Sequence, residues 1–249
     1  MNGTLLRTIL AALLTGAAAA ATTVDLSSVT APAGAPIAIA AQSSTAGALT
    51  TCVLHIAYPP EKLTFLSAKP GAAAATKTLT AHAENGMLSI ALLGGAQPFT
   101  DGTLATLIFE INPAATPGEI LPLTGATSSG ADATAAPADL TISNAQATVS
   151  PPAATHSADT NKNWRIALQE LLRVIQFYNS NGYHCEAGTE DGYGPGPGDV
   201  SCGYHNSDFN PADGKIFLTE VLRLIQFFNM GAYHPDAAQS DAFAPGYFQ

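Results

Sequence analysis

Two short stretches near the end of the chain carry residue types and spacings suited to holding a metal ion. In "DTNKNWRIALQE" oxygen-bearing groups fall on alternate places: Asp159, Asn161, Asn163, the carbonyl of Arg165, and Glu170 at the twelfth position. In "DFNPADGKIFLTE" the set recurs as Asp208, Asn210, Asp213, the Lys215 carbonyl and Glu220, with one extra residue between Asn210 and Asp213. A hard cation such as Ca2+ takes oxygens from alternate residues of a loop that runs into a helix, so both stretches are expected to bind Ca2+. Ile166 and Ile216 fall where an apolar residue ties such a loop to its twin. Two features depart from the pattern. Trp164 stands where a sharp turn favours Gly, as Gly214 does in the second copy, and the first loop has only two carboxylates. Without a cation the same residues would simply make Asx-capped helix starts.

Cys185 and Cys202 flank a Gly-rich stretch and are expected to close it as a disulfide, worth about 3 kcal/mol on the chain-entropy view. The alternative for the same thiols is a zinc site completed by His184 and His205. Cys52 alternates with Leu54 and Ile56 in a strand-like run and reads as a small buried thiol.

The loops need helices behind them. After each, the apolar period becomes helical: Leu168, Leu171, Leu172, Ile175 and Tyr178 in the first copy, Leu218, Val221, Leu222, Ile225 and Phe228 in the second. Gln169, Arg173 and Gln176 make a polar stripe that recurs as Thr219, Arg223 and Gln226. These six are the expected partner-binding residues, the arginines offering planar forks to carboxylates. The repeats span about 156–184 and 205–234, and each helix is stopped by a glycine, Gly182 and Gly231. Such helices should pack on each other, with part of their apolar surface left for a partner or for the rest of the chain.

The preceding 129 residues, 22–150, look different. Runs such as "APIAIAAQ", "CVLHIAY", "MLSIALL", "TLATLIFEI" and "LTISNAQATV" alternate or are β-rich, and Gly, Pro, Asn and Asp turns separate them. That predicts an all-β, antiparallel, jelly-roll-like sandwich. "SPPAATHS" breaks the pattern, so 151–157 reads as a Pro-rich linker and 158–249 as a small all-α module. Residues 1–21, with Arg7 ahead of an apolar run and small residues, read as a secretory leader. The chain is then expected outside the cell or on its surface, with no membrane insertion. A net charge of −10 argues against nucleic acid and suits cations.

Together these motifs carry a family resemblance. The duplicated loop and helix resemble a dockerin, a secreted calcium-binding docking module. The β-rich part resembles a cohesin, its sandwich receptor, through "IAYPPEKLTF", "FTDGTLATLIFEI" and "LTISNAQATV". Pro59 replaces the Asp usual in the first of these. Leu168-Gln169 and Leu218-Thr219 replace the Ser-Thr recognition pair of dockerins, so partner specificity does not carry over. The resemblance implies a non-catalytic chain that attaches, with calcium, to cohesin- or dockerin-bearing proteins, copies of itself included. Two other functions compete. One is a fibre or surface-layer subunit joining head to tail, and the other is a carbohydrate-binding sandwich with an attachment tail. An enzyme is not expected: "GxSxG", "HExxH" and P-loop motifs are missing.

Overall fold

The period-two runs fold into two facing β layers. The structure, a computed structural model, describes residues 22–44 and 49–249, so the expected leader at 1–21 lies outside the described residues. In chain order the strands are β1 (Thr22–Leu26), β2 (Val29–Pro32), β3 (Pro36–Ser43), β4 (Leu49–Ala57), β5 (Leu63–Pro70) and β6 (Thr78–Glu84). Then come β7 (Met87–Leu93), β8 (Gly102–Ile111), β9 (Ile120–Gly125), β10 (Ser128–Asp132), β11 (Pro137–Ser143) and β12 (Ala145–Ser150). Hydrogen bonding runs β2-β12-β9-β4-β10-β11-β1-β3-β8-β5, with β7 and β6 added beyond β4.

Alternation decides which side chains go inside. β4 buries Cys52, Leu54 and Ile56, and β7 buries Leu88, Ile90 and Leu92, while the residues between them face outward. Ile37, Ile39, Leu107, Phe109 and Ile111 close the core from β3 and β8. Each such side chain contributes about 1.5–3 kcal/mol by leaving water. The expected antiparallel pattern needs one amendment. The first strand is split at Ser27-Ser28, and the expected closing strand is split at Asn144. β1 pairs in parallel with β11, and β2 pairs in parallel with β12. Each of the two strands thus serves both layers. Gly71 sits where β5 leaves the sheet, and a Cβ there would lie 2.1 Å from the Thr103 carbonyl oxygen.

The C-terminal region contains α1 (Leu168–Asn179) and α2 (Leu218–Met230). It is not all-α, as the sequence suggested. Each helix is followed by a two-stranded hairpin: β13 (Tyr183–Cys185) with β14 (Tyr193–Pro195), and β15 (Tyr233–Pro235) with β16 (Phe243–Pro245). Strands of three residues lack a readable period, which is why they were not visible. Gly231 caps α2 in the left-handed conformation, φ 75°. α1 ends through Asn181, also left-handed, just before Gly182. Among the described residues no helix is long and apolar enough to cross a membrane.

The aromatics of the sandwich are spent inside. Phe99 and Phe109 are buried, and Tyr58 and Phe65 lean edge-on against Phe109 at 5.2 and 5.5 Å. Burial also pushes the Cys52 thiol up to about 12, and Cys185 is bonded to Cys202 with their Cα atoms 5.9 Å apart. A thiol reagent at mildly alkaline pH should therefore find no reactive cysteine in the folded chain and a single one after denaturation. Labelling of the native protein would contradict this arrangement.

Candidate functional site

The two loops fold into nearly identical, closed turns. Asp159 Oδ1 accepts the Asn163 N–H at 3.0 Å and its Oδ2 accepts the Trp164 N–H at 2.8 Å. Glu170 reaches back, Oε1 accepting from the Thr160 N–H at 3.0 Å and Oε2 from the Ala167 N–H at 2.7 Å. In the second copy Asp208 accepts from Asp213 and Gly214, and Glu220 from Phe209, Asn210 and Phe217. The one-residue insertion is absorbed between Asn210 and Asp213. Beyond that point Asp213, Gly214 and Lys215 do what Asn163, Trp164 and Arg165 do, and both Asn163 and Asp213 accept the N–H two residues on.

Each repeat completes the other. Tyr233, after α2, donates its O–H to Asp159 Oδ2 at 2.6 Å, and Tyr183, after α1, donates to Asp208 Oδ2 at 2.6 Å. Each phenol oxygen in turn accepts a backbone N–H from a buried histidine, His156 or His205, at 3.0 Å. The tyrosine backbones bond across as well, Tyr233 N–H to the Trp164 carbonyl and Tyr183 N–H to the Gly214 carbonyl. The two imidazoles meet edge-to-face at 5.8 Å between the repeats. His156 thus belongs to the C-terminal core, inside the stretch expected to be linker.

The electrostatics of this core are unusual. Asp159, Glu170, Asp208 and Glu220 are all buried, and none forms an ion pair with a basic side chain among the described residues. Burial raises the Asp159 carboxyl above the ordinary range, against the lowering effect of its Tyr233 and backbone hydrogen bonds. Buried carboxylates without a positive partner are costly, and a divalent cation is the simplest remedy. The donors available to a cation are the two carboxylates, Asn side-chain oxygens and a backbone carbonyl in the first loop. In the second, Asp213 replaces one Asn but is exposed. Among the described residues no three His, Cys, Asp or Glu side chains gather as a metal-holding cluster. Carboxylate, amide and carbonyl oxygens are donors of the kind a hard ion takes, and the set lacks the sulfur and nitrogen donors of a zinc site. His184 Nδ1 lies 2.9 Å from the Gly196 carbonyl and His205 is buried among aromatics, so neither stands with the bonded cysteines as a ligand set.

The expected docking stripe is placed differently from its reading in sequence. Arg173 bonds Asp191 and the Tyr193 carbonyl, and Arg223 bonds Asp241 and the Phe243 carbonyl. Both guanidinium groups also lie over phenylalanines of their own helices, Phe177 and Phe227. These forks brace each helix against its own hairpin and are not free for a partner's carboxylate. Gln169, Gln176, Thr219 and Gln226 are exposed. The buried stripe is Leu171, Val174 and Phe177 against Val221, Leu224 and Phe227. Leu168, Leu172, Leu218 and Leu222 face outward, 48–57% exposed. An apolar ridge this open calls for a cover.

Sequence reasoning missed Tyr183, Tyr233, Asp191 and Asp241. The signal was present: "YHCEAGTEDGYGPG" aligns without a gap to "YHPDAAQSDAFAPG", so the repeat continues through both hairpins. Gly-rich composition in one copy and Ala-rich in the other hides it.

Removing a phenol hydroxyl should test the reciprocal bonds. Tyr233→Phe leaves the His156 N–H and a buried carboxylate each short of a partner, so a loss of about 1–3 kcal/mol is expected in denaturant unfolding. Acid should act on the same core. Burial holds His205 down to about 4 and His156 well below its ordinary value. Free imidazole takes its proton near about 6.5, so from there down to about 4 the unfolded chain binds more protons than the folded one. Stability must then fall as the pH drops through that window. Asp159, raised by burial, opposes this. Melting followed against pH should show the acid limb, and His205→Phe should flatten it. An unchanged slope in that variant would remove His205 from the explanation.

Comparison with known proteins adds the following. A family model described as "Cohesin domain" matches residues 22–149. No curated protein matches the chain. Similar solved structures include the sixth cohesin of scaffoldin B from Acetivibrio cellulolyticus, determined in complex with a dockerin. It is 18% identical over 52% of this chain and 99% of that one, with a TM-score of 0.46. A non-cellulosomal cohesin from the archaeon Archaeoglobus fulgidus is 17% identical over 53% and 93%, with a TM-score of 0.47. CaCohA2 from Clostridium acetobutylicum is 22% identical over 53% and 93%, also at 0.47.

Proposed function

Because this chain belongs to the cohesin family through residues 22–149, we propose that it is a non-catalytic attachment protein whose sandwich receives a dockerin-bearing partner. The observation that carries this reading is the outward face of β4, β7 and β6. Register places Val53 beside Ala91, His55 beside Ser89 and Ala57 beside Met87, with Thr80, His82 and Glu84 continuing the rows on β6. The centre of that face carries no Lys, Arg, Asp or Glu, and His55 Nδ1 lies 2.9 Å from Ser89 Oγ within it. Depletion of charge at the centre is what the core of a protein interface requires. The sandwich offers no exposed aromatic platform among its described residues, which weighs against the carbohydrate reading.

The C-terminal repeats supply the second half of the proposal. We read 158–249 as a dockerin-like module whose loops take Ca2+ through Asp159, Asn161, Asn163, the Arg165 carbonyl and Glu170, and through Asp208, Asn210, Asp213, the Lys215 carbonyl and Glu220. Bound cations would neutralise the four buried carboxylates and stiffen the helices that carry Leu168, Leu172, Leu218 and Leu222. The chain would act outside the cell, as the leader reading implies. A second reading, head-to-tail self-assembly, is favoured by one observation: the repeats pack beside β3, β5 and β8, away from the proposed receptor face. A contact between the two would then join different copies, and a heterologous contact of that kind propagates as an open filament.

Light scattering of the full chain with Ca2+ and with chelator should separate the readings. Growth with Ca2+ that Leu172→Asp plus Leu222→Asp abolishes would support self-assembly. A monomer that binds dockerin-bearing proteins of its source would support the first. Ala91→Arg, which plants a charge in the middle of the receptor face, should weaken that binding at least about tenfold. Binding untouched by Ala91→Arg would move the contact elsewhere on the sandwich. Calorimetry should show Ca2+ uptake with one site lost in each of Glu170→Gln and Glu220→Gln. No uptake in the wild type would reduce the loops to helix caps.

A further inference from the structure

The two loops are alike in their bonds but not in their surroundings. The first faces the sandwich. Trp164 holds φ 62°, a left-handed backbone that a bulky residue rarely adopts, and is nevertheless buried. Its ring lies 5.5 Å from that of Tyr233 and 5.2 Å, edge-on, from that of Phe248. Phe248 is in turn fixed to the sandwich: its carbonyl accepts the Ala38 N–H at 2.9 Å, and it bridges Ile37 on the edge of β3. The next loop residue, Arg165, donates through Nη2 to Glu110 Oε2 on β8 at 3.0 Å. The second loop has none of this. Gly214 takes the same turn, a Cβ built on it would meet only Val200 Cγ1, at 3.4 Å, and Lys215 is exposed.

We propose that the sandwich holds the first loop in its cation-ready shape, with Phe248 and Glu110 as positioning residues, and leaves the second loop free of that control. This rests on the calcium reading above. The physical argument is one of strain and its compensation. A tryptophan at the sixth loop position costs backbone energy that glycine does not, and the loop's Arg165 carbonyl, a proposed ligand, follows it directly. Packing of Trp164 between Tyr233 and Phe248 offsets that cost, and the Glu110 pair sets the direction of residue 165. Release the clasp and the first loop loses what holds its strained turn in place. The gap is filled in the second loop by glycine itself. Coupling of this kind is reciprocal, so Ca2+ at the first loop must also tighten the junction.

The test is calcium calorimetry on the full chain, with Glu220→Gln isolating the first loop and Glu170→Gln the second. In the first background Phe248→Ala should weaken Kd about tenfold and Glu110→Gln about threefold, the smaller effect because that pair is partly exposed. In the second background neither change should alter Kd by more than about twofold. Phe248→Tyr should restore the first site. Hydrogen exchange gives an independent readout: the Ala38 amide, which donates to Phe248, should exchange more slowly when Ca2+ is added. If Phe248→Ala does not fold, Glu110→Gln and the Ala38 amide still decide. Equal weakening at both loops, weakening at neither, or an Ala38 amide indifferent to Ca2+ would overturn the proposal. A wild type that takes up no Ca2+ would instead overturn the calcium reading on which it stands.

Discussion

The bond on which the C-terminal half depends is the one between a phenol and a carboxylate from opposite repeats. Asp159 and Asp208 organise their loops by accepting backbone N–H groups, and each is then reached by a tyrosine that its own repeat does not supply. Neither loop can therefore close alone. The duplication has a physical reason, since one copy alone would leave its buried carboxylate one partner short and would strip the phenol and the histidine N–H of theirs. Unpaired groups of that kind cost about 1–3 kcal/mol each, a large share of the stability of so small a unit.

That reciprocal core also dictates what remains outside. With Leu171, Val174 and Phe177 committed to Val221, Leu224 and Phe227, the leucines one step around each helix have nowhere to go but outward. The arginines, drawn back to Asp191 and Asp241, lock each helix to its hairpin. The result is a rigid, mostly apolar ridge with a polar rim. In the sandwich the alternation of β4 and β7 leaves Val53, His55, Ala57, Met87, Ser89 and Ala91 on the outer face over a filled core.

Much of the sandwich was legible because its rule is local. Strands β3, β4, β7 and β8 declare themselves by alternation, and the inward residues follow. The split of the first and last strands was not legible, because it depends on which layer each half pairs with. In the repeats the loop oxygens could be read from spacing, yet the groups that complete the site could not. Tyr233 and Asp159 are 74 residues apart, and nothing near either announces the other. The pairing of Arg173 within its own repeat was hidden for a related reason. A cation on a helix surface looks free until the chain returns with Asp191, 18 residues later. The helix faces were displaced by one stripe, because helices this apolar satisfy several choices of buried side.

Trp164 is the single tryptophan in the chain. It is buried where the first loop meets the sandwich, in edge and tilted contact with two aromatic rings. Selective excitation of indole therefore interrogates one spot in the molecule, with no contribution from the second loop or from the β core. Any opening of the junction lets water to that ring and shifts its emission to the red, while melting elsewhere leaves it silent until the junction itself parts. The substitution that strains the turn has equipped the protein with its own optical gauge of how firmly its two halves are joined.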